Sequence, residues 1–152
     1  MLSIATIGYE GATIATFQAA LRAARIDLLV DVRALASSRR PGFAKTRLAA
    51  NARDAGAEYL HLRALGTPSD GRVAARAGRH EEMQRIFRVQ LATPEAQAEL
   101  ALVGDLVRQG RRVCLLCFEA QPQHCHRSIV AAALSAMLPA TVVNLTPVND
   151  DP

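Results

Sequence analysis

The segment TPEAQAELALVGDLVRQGRRVCLLCF, residues 93–118, decides the fold class because it joins a well-delimited helix to a short apolar strand. Thr93 suits a helix N-cap and Pro94 the first helical position, while Gly110 follows the predicted end of the helix. The apolar run at residues 112–118 is typical of a strand that is buried on both faces. A helix that leads directly into such a strand is the building unit of α/β proteins.

The same alternation of helices and apolar runs extends outward from this unit in both directions. The predicted strands are residues 2–8, 27–33, 58–62, 112–118 and 141–145. The predicted helices cover residues 17–25 with a threonine cap at Thr13 or Thr16, 45–55, 79–91, 94–109, and a last helix from Cys125 to Pro139, with LGTPSDG at 65–71 as a loop. We therefore predict a Rossmann-like, three-layer α/β/α fold with a mainly parallel five-stranded sheet in the order 3-2-1-4-5.

Length and composition limit the class of protein. The chain has 152 residues, of which 50% are apolar, so we expect a single α/β domain over residues 1–146 and a loose tail at 147–152. No apolar run approaches the ~20 residues of a membrane span, and MLSIATIGYEG lacks the features of a signal peptide. We expect a cytoplasmic protein with no membrane partner. The three cysteines should not form a disulfide framework and are expected to be free thiols, ligands or a nucleophile.

Arginine dominates the basic residues, since 17 of the 18 are Arg. This bias reflects either coding preference or selection for bidentate contacts with phosphate or carboxylate groups. Residues 33–88 contain twelve bases and five acids, a net charge of +7, whereas residues 1–32 sum to −1 and residues 89–152 to −2. The central segment therefore favours an anionic small molecule or a nucleic acid as partner.

Polar residues follow four of the predicted strands at their carboxyl ends. Because ligands of open parallel sheets bind outside the carboxyl ends of the strands, these residues predict a functional crevice. They are residues 8–11, including Tyr9 and Glu10, then Asp31, Arg33, His61, Arg63, Cys117 and Glu119.

The densest group of reactive residues is VCLLCFEAQPQHCHRS, residues 113–128. Residues three apart in a strand point to opposite faces, so Cys114 and Cys117 should not share a ligand, and Cys114 is expected to be a buried apolar residue. Cys117 and Glu119 share a face if the strand continues that far.

Cys125, His126 and Arg127 lie at the predicted start of the last helix, where unpaired backbone N–H groups stabilise an anion or a thiolate. Three roles are open: a thiolate nucleophile, an anion site with Arg127 as the clamp, or a metal site of Cys117, Cys125 and a histidine. The spacing is not that of cysteine phosphatases, rhodaneses or common zinc sites, so no metal ligand is assigned. A structural alternative is an ion pair between Arg127 and Glu119.

The loop after the second strand, SSRRPGF at residues 37–43, combines hydroxyls, arginines and glycine as a phosphate cradle does. Ser38, Arg39 and Arg40 are its candidate anion ligands, and a solvated surface loop is the alternative. Carboxylates at Glu10, Asp31 and Glu119 would either act as bases or neutralise arginines, and His61 would act as an acid or base or simply be hydrogen-bonded in place.

Four segments, TIGYEG, LVDVR with SRRPGF, YLHLRALG and LLCFEAQPQHCHRS, occur in an order that resembles domain of unknown function family 488, uncharacterised small α/β proteins of bacteria or archaea. The resemblance spans residues 4–138 and implies an α/β fold and a site, without a reaction. Ala36 departs from it, since such sequences often have a proline near this point. The residues that fall on motif positions are Gly8, Tyr9, Glu10, Asp31, Arg33, Ser38, Phe43, His61, Gly66, Cys117, Glu119, Cys125, His126 and Arg127.

The leading hypothesis is an enzyme-like domain that binds a phosphate-bearing substrate, a nucleotide or a nucleic-acid end, for hydrolysis or transfer. Cys125 or Cys117 would react, and Glu10, Glu119 or His61 would move protons. The anion would contact Arg33, Ser38, Arg39, Arg40, His126 and Arg127, beside Tyr9 and Asp31. The alternatives are a non-catalytic module for nucleic acid or an acidic partner, and a Cys/His metal-binding protein. Cofactor and oligomeric state stay open.

Overall fold

A computed structural model describes residues 2–147, so the predicted tail lies outside the described residues except for Pro147. The strands are β1 Leu2–Gly8, β2 Leu28–Asp31, β3 Glu58–His61, β4 Val113–Cys117 and β5 Ala140–Leu145. The helices are α1 Ile14–Ala23, α2 Lys45–Asp54, α3 Ser69–Arg76, α4 His80–Leu91, α5 Pro94–Arg108 and α6 Arg127–Met137. Single 3-10 turns lie at Arg63–Leu65 and Pro122–His124.

All five strands are parallel, which confirms the predicted α/β class, but their order is β3-β2-β4-β1-β5. The predicted order 3-2-1-4-5 is wrong, because β4 lies between β2 and β1. Val113 pairs with Leu28 on one side and with Ile4 on the other. Every residue of β4 is buried, as a central strand requires, whereas β5 is largely exposed and forms an edge.

Helices cover both faces of the sheet and give the predicted three layers. One core cluster joins alternate strand residues such as Val30 and Leu115 to α3, α4, α5 and α6. The other joins the intervening residues, including Leu29 and Cys114, to α1 and α2. Cys114 and Cys117 therefore belong to opposite faces, as the strand period predicts.

The loop predicted over residues 65–71 is wrong from Ser69 onward, where helix α3 begins. The helix begins after Pro68, has Asp70 in its first turn, and is followed by Gly78 at φ 79°. The sequence pattern does not predict this helix, because it contains Gly71 and glycine is a poor helix former. A Cβ at Gly71 would overlap with Thr67, so this glycine permits close packing rather than a turn.

Helix α6 begins at Arg127 rather than at Cys125, and Cys125 is extended. A 3-10 turn at Pro122–His124 occupies the space before it. Cys125 and His126 therefore lie between this turn and the first residue of α6. Within residues 2–147, the structure contains no helix with the length and apolar character needed to span a membrane.

Candidate functional site

A cavity of about 320 Å³ lies at the carboxyl ends of β1, β2 and β4, where the sequence predicts a crevice. Helix α3 and the start of α4 close its other side. The residues around it include Tyr9, Arg33, Ser37, Thr67, Arg72, Arg76, Met83, Cys117, Phe118, Glu119, His124 and His126.

Cys117 at the end of β4 and Cys125 before α6 are joined by a disulfide beside this cavity. The expectation of free thiols is therefore wrong for this pair, and it holds only for the buried Cys114, whose thiol pKa burial raises. The Cα atoms of the bonded pair are 7.1 Å apart. This separation is slightly longer than the about 4.4–6.8 Å that is usual for disulfides.

His126 presents one ring nitrogen to both sulfurs. Its Nε2 lies 2.7 Å from the carbonyl oxygen of Val32, an acceptor, so Nε2 carries the proton. Nδ1 is then an unprotonated lone pair, 3.6 Å from Cys117 Sγ and 3.8 Å from Cys125 Sγ. Burial lowers the pKa of His126 to about 4, so the ring is neutral at pH 7.

Glu119 completes this group, although β4 ends at Cys117 and the strand does not continue to Glu119 as the prediction of a shared face required. Its Oε2 is 3.0 Å from Cys117 Sγ, and burial raises the pKa of the carboxyl above its usual range. We call Cys117, Glu119, Cys125 and His126 the sulfur cluster.

Arg127 is fully buried but is directed at the backbone. Its Nη1 donates to the Glu119 carbonyl at 2.5 Å and its Nη2 to the Ala120 carbonyl at 3.4 Å. Within residues 2–147 it forms no ion pair with the Glu119 carboxylate, so the predicted pair is wrong. Burial lowers the pKa of the guanidinium. Arg127 holds the loop between β4 and α6 in place and does not line the cavity.

The guanidinium group of Arg33 also forms its hydrogen bonds within the protein. It donates to both oxygens of Asp31, from Nε at 2.9 Å and from Nη2 at 2.7 Å, and its Nη1 donates to Tyr9 Oη at 3.1 Å. Tyr59 Oη donates to Asp31 Oδ2 at 2.5 Å. Burial opposes the charge on Arg33, but hydrogen bonding and attraction to Asp31 outweigh it and raise the pKa of the guanidinium. We call Tyr9, Asp31, Arg33 and Tyr59 the Asp31 cluster.

The candidate cradle loop is separate from the cavity, apart from Ser37. Ser38 Oγ accepts from the backbone N–H of Arg40 at 3.1 Å, and Arg40 Nε donates to the Ala12 carbonyl at 2.7 Å. Arg39 is exposed. These residues hold the loop together, and their predicted role in anion binding stays a prediction.

Two other predicted acid/base residues have structural contacts. Glu10 accepts from the backbone N–H of Ala120 at 3.1 Å and so fixes the loop after β4. His61 Nε2 lies 2.6 Å from the carbonyl oxygen of Arg33. Neither lines the cavity.

Helix α3 forms a wall of the cavity that is not among the sites predicted from the sequence. Arg72 donates through Nη1 to the Thr67 carbonyl at 2.9 Å, and Arg76 is exposed one helical turn later. A signal is nevertheless present in RVAAR, residues 72–76, because two arginines four residues apart lie on one face of a helix. The loop predicted at residues 65–71, just before this segment, obscures it. His124 also lines the cavity and stacks on His80 with 4.0 Å between ring centroids.

Comparisons with known proteins bear on the family alone. No curated protein and no solved structure shows a match to this chain. The model of the family described as "Domain of unknown function DUF488" matches residues 13–134. This range contains β2, β3, β4 and the whole sulfur cluster. Because the match covers most of the chain, the protein belongs to the DUF488 family.

Proposed function

We propose that this protein is an enzyme that binds a phosphate-bearing small molecule in the cavity and acts on it by hydrolysis or group transfer. The observation that carries the proposal is the pairing of two kinds of residue in one enclosed space. Arginines of α3 and three members of the sulfur cluster, Cys117, Glu119 and His126, line the same cavity.

Arg72 and Arg76 are the arginines suited to an incoming anion. Both line the cavity, and neither forms an ion pair with a carboxylate among the described residues. Arg33 lines the cavity too, but Asp31 already neutralises it. Guanidinium groups without a carboxylate partner bind phosphate oxygens through charge-assisted hydrogen bonds.

The sulfur cluster has the acid/base groups that hydrolysis or transfer needs. His126 Nδ1 can accept a proton, because its ring is neutral. Glu119 is the candidate proton donor, because burial raises the pKa of its carboxyl. The two side chains share Cys117 as a neighbour, so both lie near the same point of the cavity.

Titration calorimetry with inorganic phosphate and a panel of nucleoside monophosphates tests the binding step. Arg72→Ala combined with Arg76→Ala should weaken binding at least about tenfold, the loss expected for a hydrogen bond to a charged group. Arg53→Ala is the matched control, because Arg53 is exposed on α2, which packs on the other face of the sheet.

Equal affinities for the double variant and the control would contradict the proposal. Exposed arginines on α4, Arg85 and Arg88, favour the second candidate, a nucleic-acid binding module. That alternative predicts oligonucleotide affinity that falls steeply with salt and does not change when Glu119 is replaced by Gln.

A further inference from the structure

We infer that the reduced protein binds a zinc ion through Cys117 Sγ, Cys125 Sγ and His126 Nδ1, with a fourth coordination position open to the cavity. These three atoms all lie within 4.8 Å of one another and are buried. The site uses none of the cavity arginines, so phosphate binding does not depend on the metal. A zinc ion bound to His126 Nδ1 would, however, replace that nitrogen as the proton acceptor of the proposed function.

The distances between nitrogen and sulfur are those of a tetrahedral zinc centre. With Zn–S near 2.3 Å and Zn–N near 2.05 Å, tetrahedral angles place sulfur and nitrogen ligands about 3.6 Å apart. Nδ1 of His126 is 3.6 Å from one sulfur and 3.8 Å from the other. The imidazole therefore already occupies its ligand position, and only the sulfur atoms need to separate.

The second shell of the site is also that of a metal-binding histidine. Such histidines typically donate their other ring N–H to a carbonyl or carboxylate, which fixes the tautomer and the orientation of the ring. His126 Nε2 makes this contact with Val32 at 2.7 Å. The ring is thus held with its lone pair toward the sulfurs, whether or not a metal is bound.

The backbone around Cys125 offers its sulfur a hydrogen-bond donor. The N–H of Arg127, the first residue of α6, is directed at Cys125 Sγ at 3.5 Å. An N–H donor suits a thiolate, which is the form of cysteine that binds zinc. The seven-residue gap between the cysteines is unusual for zinc sites, but it is spanned here by the turn that brings α6 back to the end of β4.

The fourth position distinguishes a structural zinc from a catalytic one. Structural sites are closed by four protein ligands, whereas catalytic sites have three and hold water in the fourth position. Cys117, Glu119 and His126 line the cavity, so a ligand from solvent can reach the ion. Glu119 Oε2, 3.0 Å from Cys117 Sγ, is close enough to hydrogen-bond a bound water or to replace it.

The disulfide must be reduced before the metal binds. A water-soluble phosphine supplies the two electrons: phosphorus takes oxygen from water to form the phosphine oxide, the S–S bond breaks, and the two hydrogens of that water form two thiols. Zinc then replaces the two thiol protons, which are released to the buffer.

Cobalt(II) titration of the phosphine-reduced protein, without substrate, tests the site. Cobalt replaces zinc in such sites, and thiolate ligands give it an intense near-ultraviolet charge-transfer band together with visible bands typical of tetrahedral geometry. We expect saturation at about one ion per chain and reversal by zinc. Cys125→Ser and His126→Gln should each weaken binding at least about 100-fold. Cys114→Ser should bind like the wild type, because Cys114 faces the other core cluster.

A second measurement keeps the test decisive if a variant does not fold. Zinc should protect two of the three thiols of the reduced wild-type protein against an aromatic disulfide reagent added under native and then denaturing conditions. Absence of a charge-transfer band and of protection would overturn the inference and leave a redox disulfide alone. If the reduced protein binds no metal but still binds phosphate, the proposed function stands without the metal.

Discussion

The Asp31 cluster and the sulfur cluster lie at the carboxyl ends of neighbouring strands, β2 and β4, but they differ in how their polar atoms are satisfied. In the Asp31 cluster, both carboxylate oxygens accept hydrogen bonds from Arg33, and one also accepts from Tyr59. In the sulfur cluster, His126 Nδ1 and the Glu119 carboxyl lie beside Cys117 Sγ, at 3.6 Å and 3.0 Å, and both residues line the cavity.

This difference separates stability from chemistry at one edge of the sheet. Charges that are buried and fully paired hold the strand ends together, and breaking such a pair is costly. Buried groups with shifted pKa values beside a cavity are suited to bind a ligand or move a proton. Convergence of polar residues at the edge does not by itself tell the two apart.

The largest effect is expected for Asp31→Asn, which leaves the buried Arg33 without its counter-charge. We expect the free energy of unfolding to fall by about 3–5 kcal/mol, the range for breaking a buried ion pair. Urea unfolding followed by circular dichroism measures it. Asp27→Asn is the control: its side chain, paired with Arg111, is 44% exposed, so the loss should be under about 1 kcal/mol. Similar losses in both variants would remove the distinction.

A smaller effect is expected for Gly8→Ala at the end of β1. A Cβ there would overlap with the Glu119 carbonyl, which Arg127 holds in place. We expect a loss of about 1–3 kcal/mol from overpacking, together with displacement of the loop that carries Glu119. Gly104→Ala is the matched control, since a Cβ at that position in α5 would meet only ordinary contacts. Replacing a helical glycine should stabilise the protein by up to about 1 kcal/mol, so opposite signs are expected in thermal unfolding.

A still smaller change in stability is expected for Glu119→Gln, the same carboxyl-to-amide change as Asp31→Asn. Burial raises the pKa of Glu119, so its charged form opposes folding, and stability is lost as pH rises through the folded pKa. Removing that charge should therefore leave the stability of the metal-free protein within about 1 kcal/mol of wild type at pH 7. Turnover should nevertheless fall if Glu119 moves a proton. A loss as large as that of Asp31→Asn would show that the sulfur cluster is also held by its charge.

Much of the fold is predictable from the sequence because periodicity reports burial locally. The five strands follow from such patterns, and the N-cap of α1 is Thr13, one of the two threonines predicted for it. Strand order does not, because β1 and β4 are both largely buried and either could pass for the central strand. Helix α3 is not predicted, because Gly71 resembles a turn residue in the sequence. In the structure, this glycine allows close packing against Thr67.

The site is predictable in part for a related reason. The sequence identifies Cys117, Glu119, Cys125 and His126 as reactive types near one sheet edge. It does not show which charges neutralise one another, and this is why Arg33 and Arg127 look like anion ligands although their guanidinium groups contact the Asp31 carboxylate and backbone carbonyls. Partner choice depends on side-chain directions that are set only once the strands are paired.

The smallest effect is expected at the loop that the sequence makes a candidate phosphate cradle. Arg39 is exposed and does not line the cavity, so Arg39→Ala should change stability by less than about 0.5 kcal/mol. Its affinity for inorganic phosphate should stay within about twofold of wild type, because an exposed charge outside the cavity is screened by salt. Arg72→Ala, measured in parallel by calorimetry, should lose more affinity for inorganic phosphate than Arg39→Ala does. If Arg39→Ala instead lost as much affinity as Arg72→Ala, the anion would bind at the loop, and the cavity wall formed by α3 would be structural.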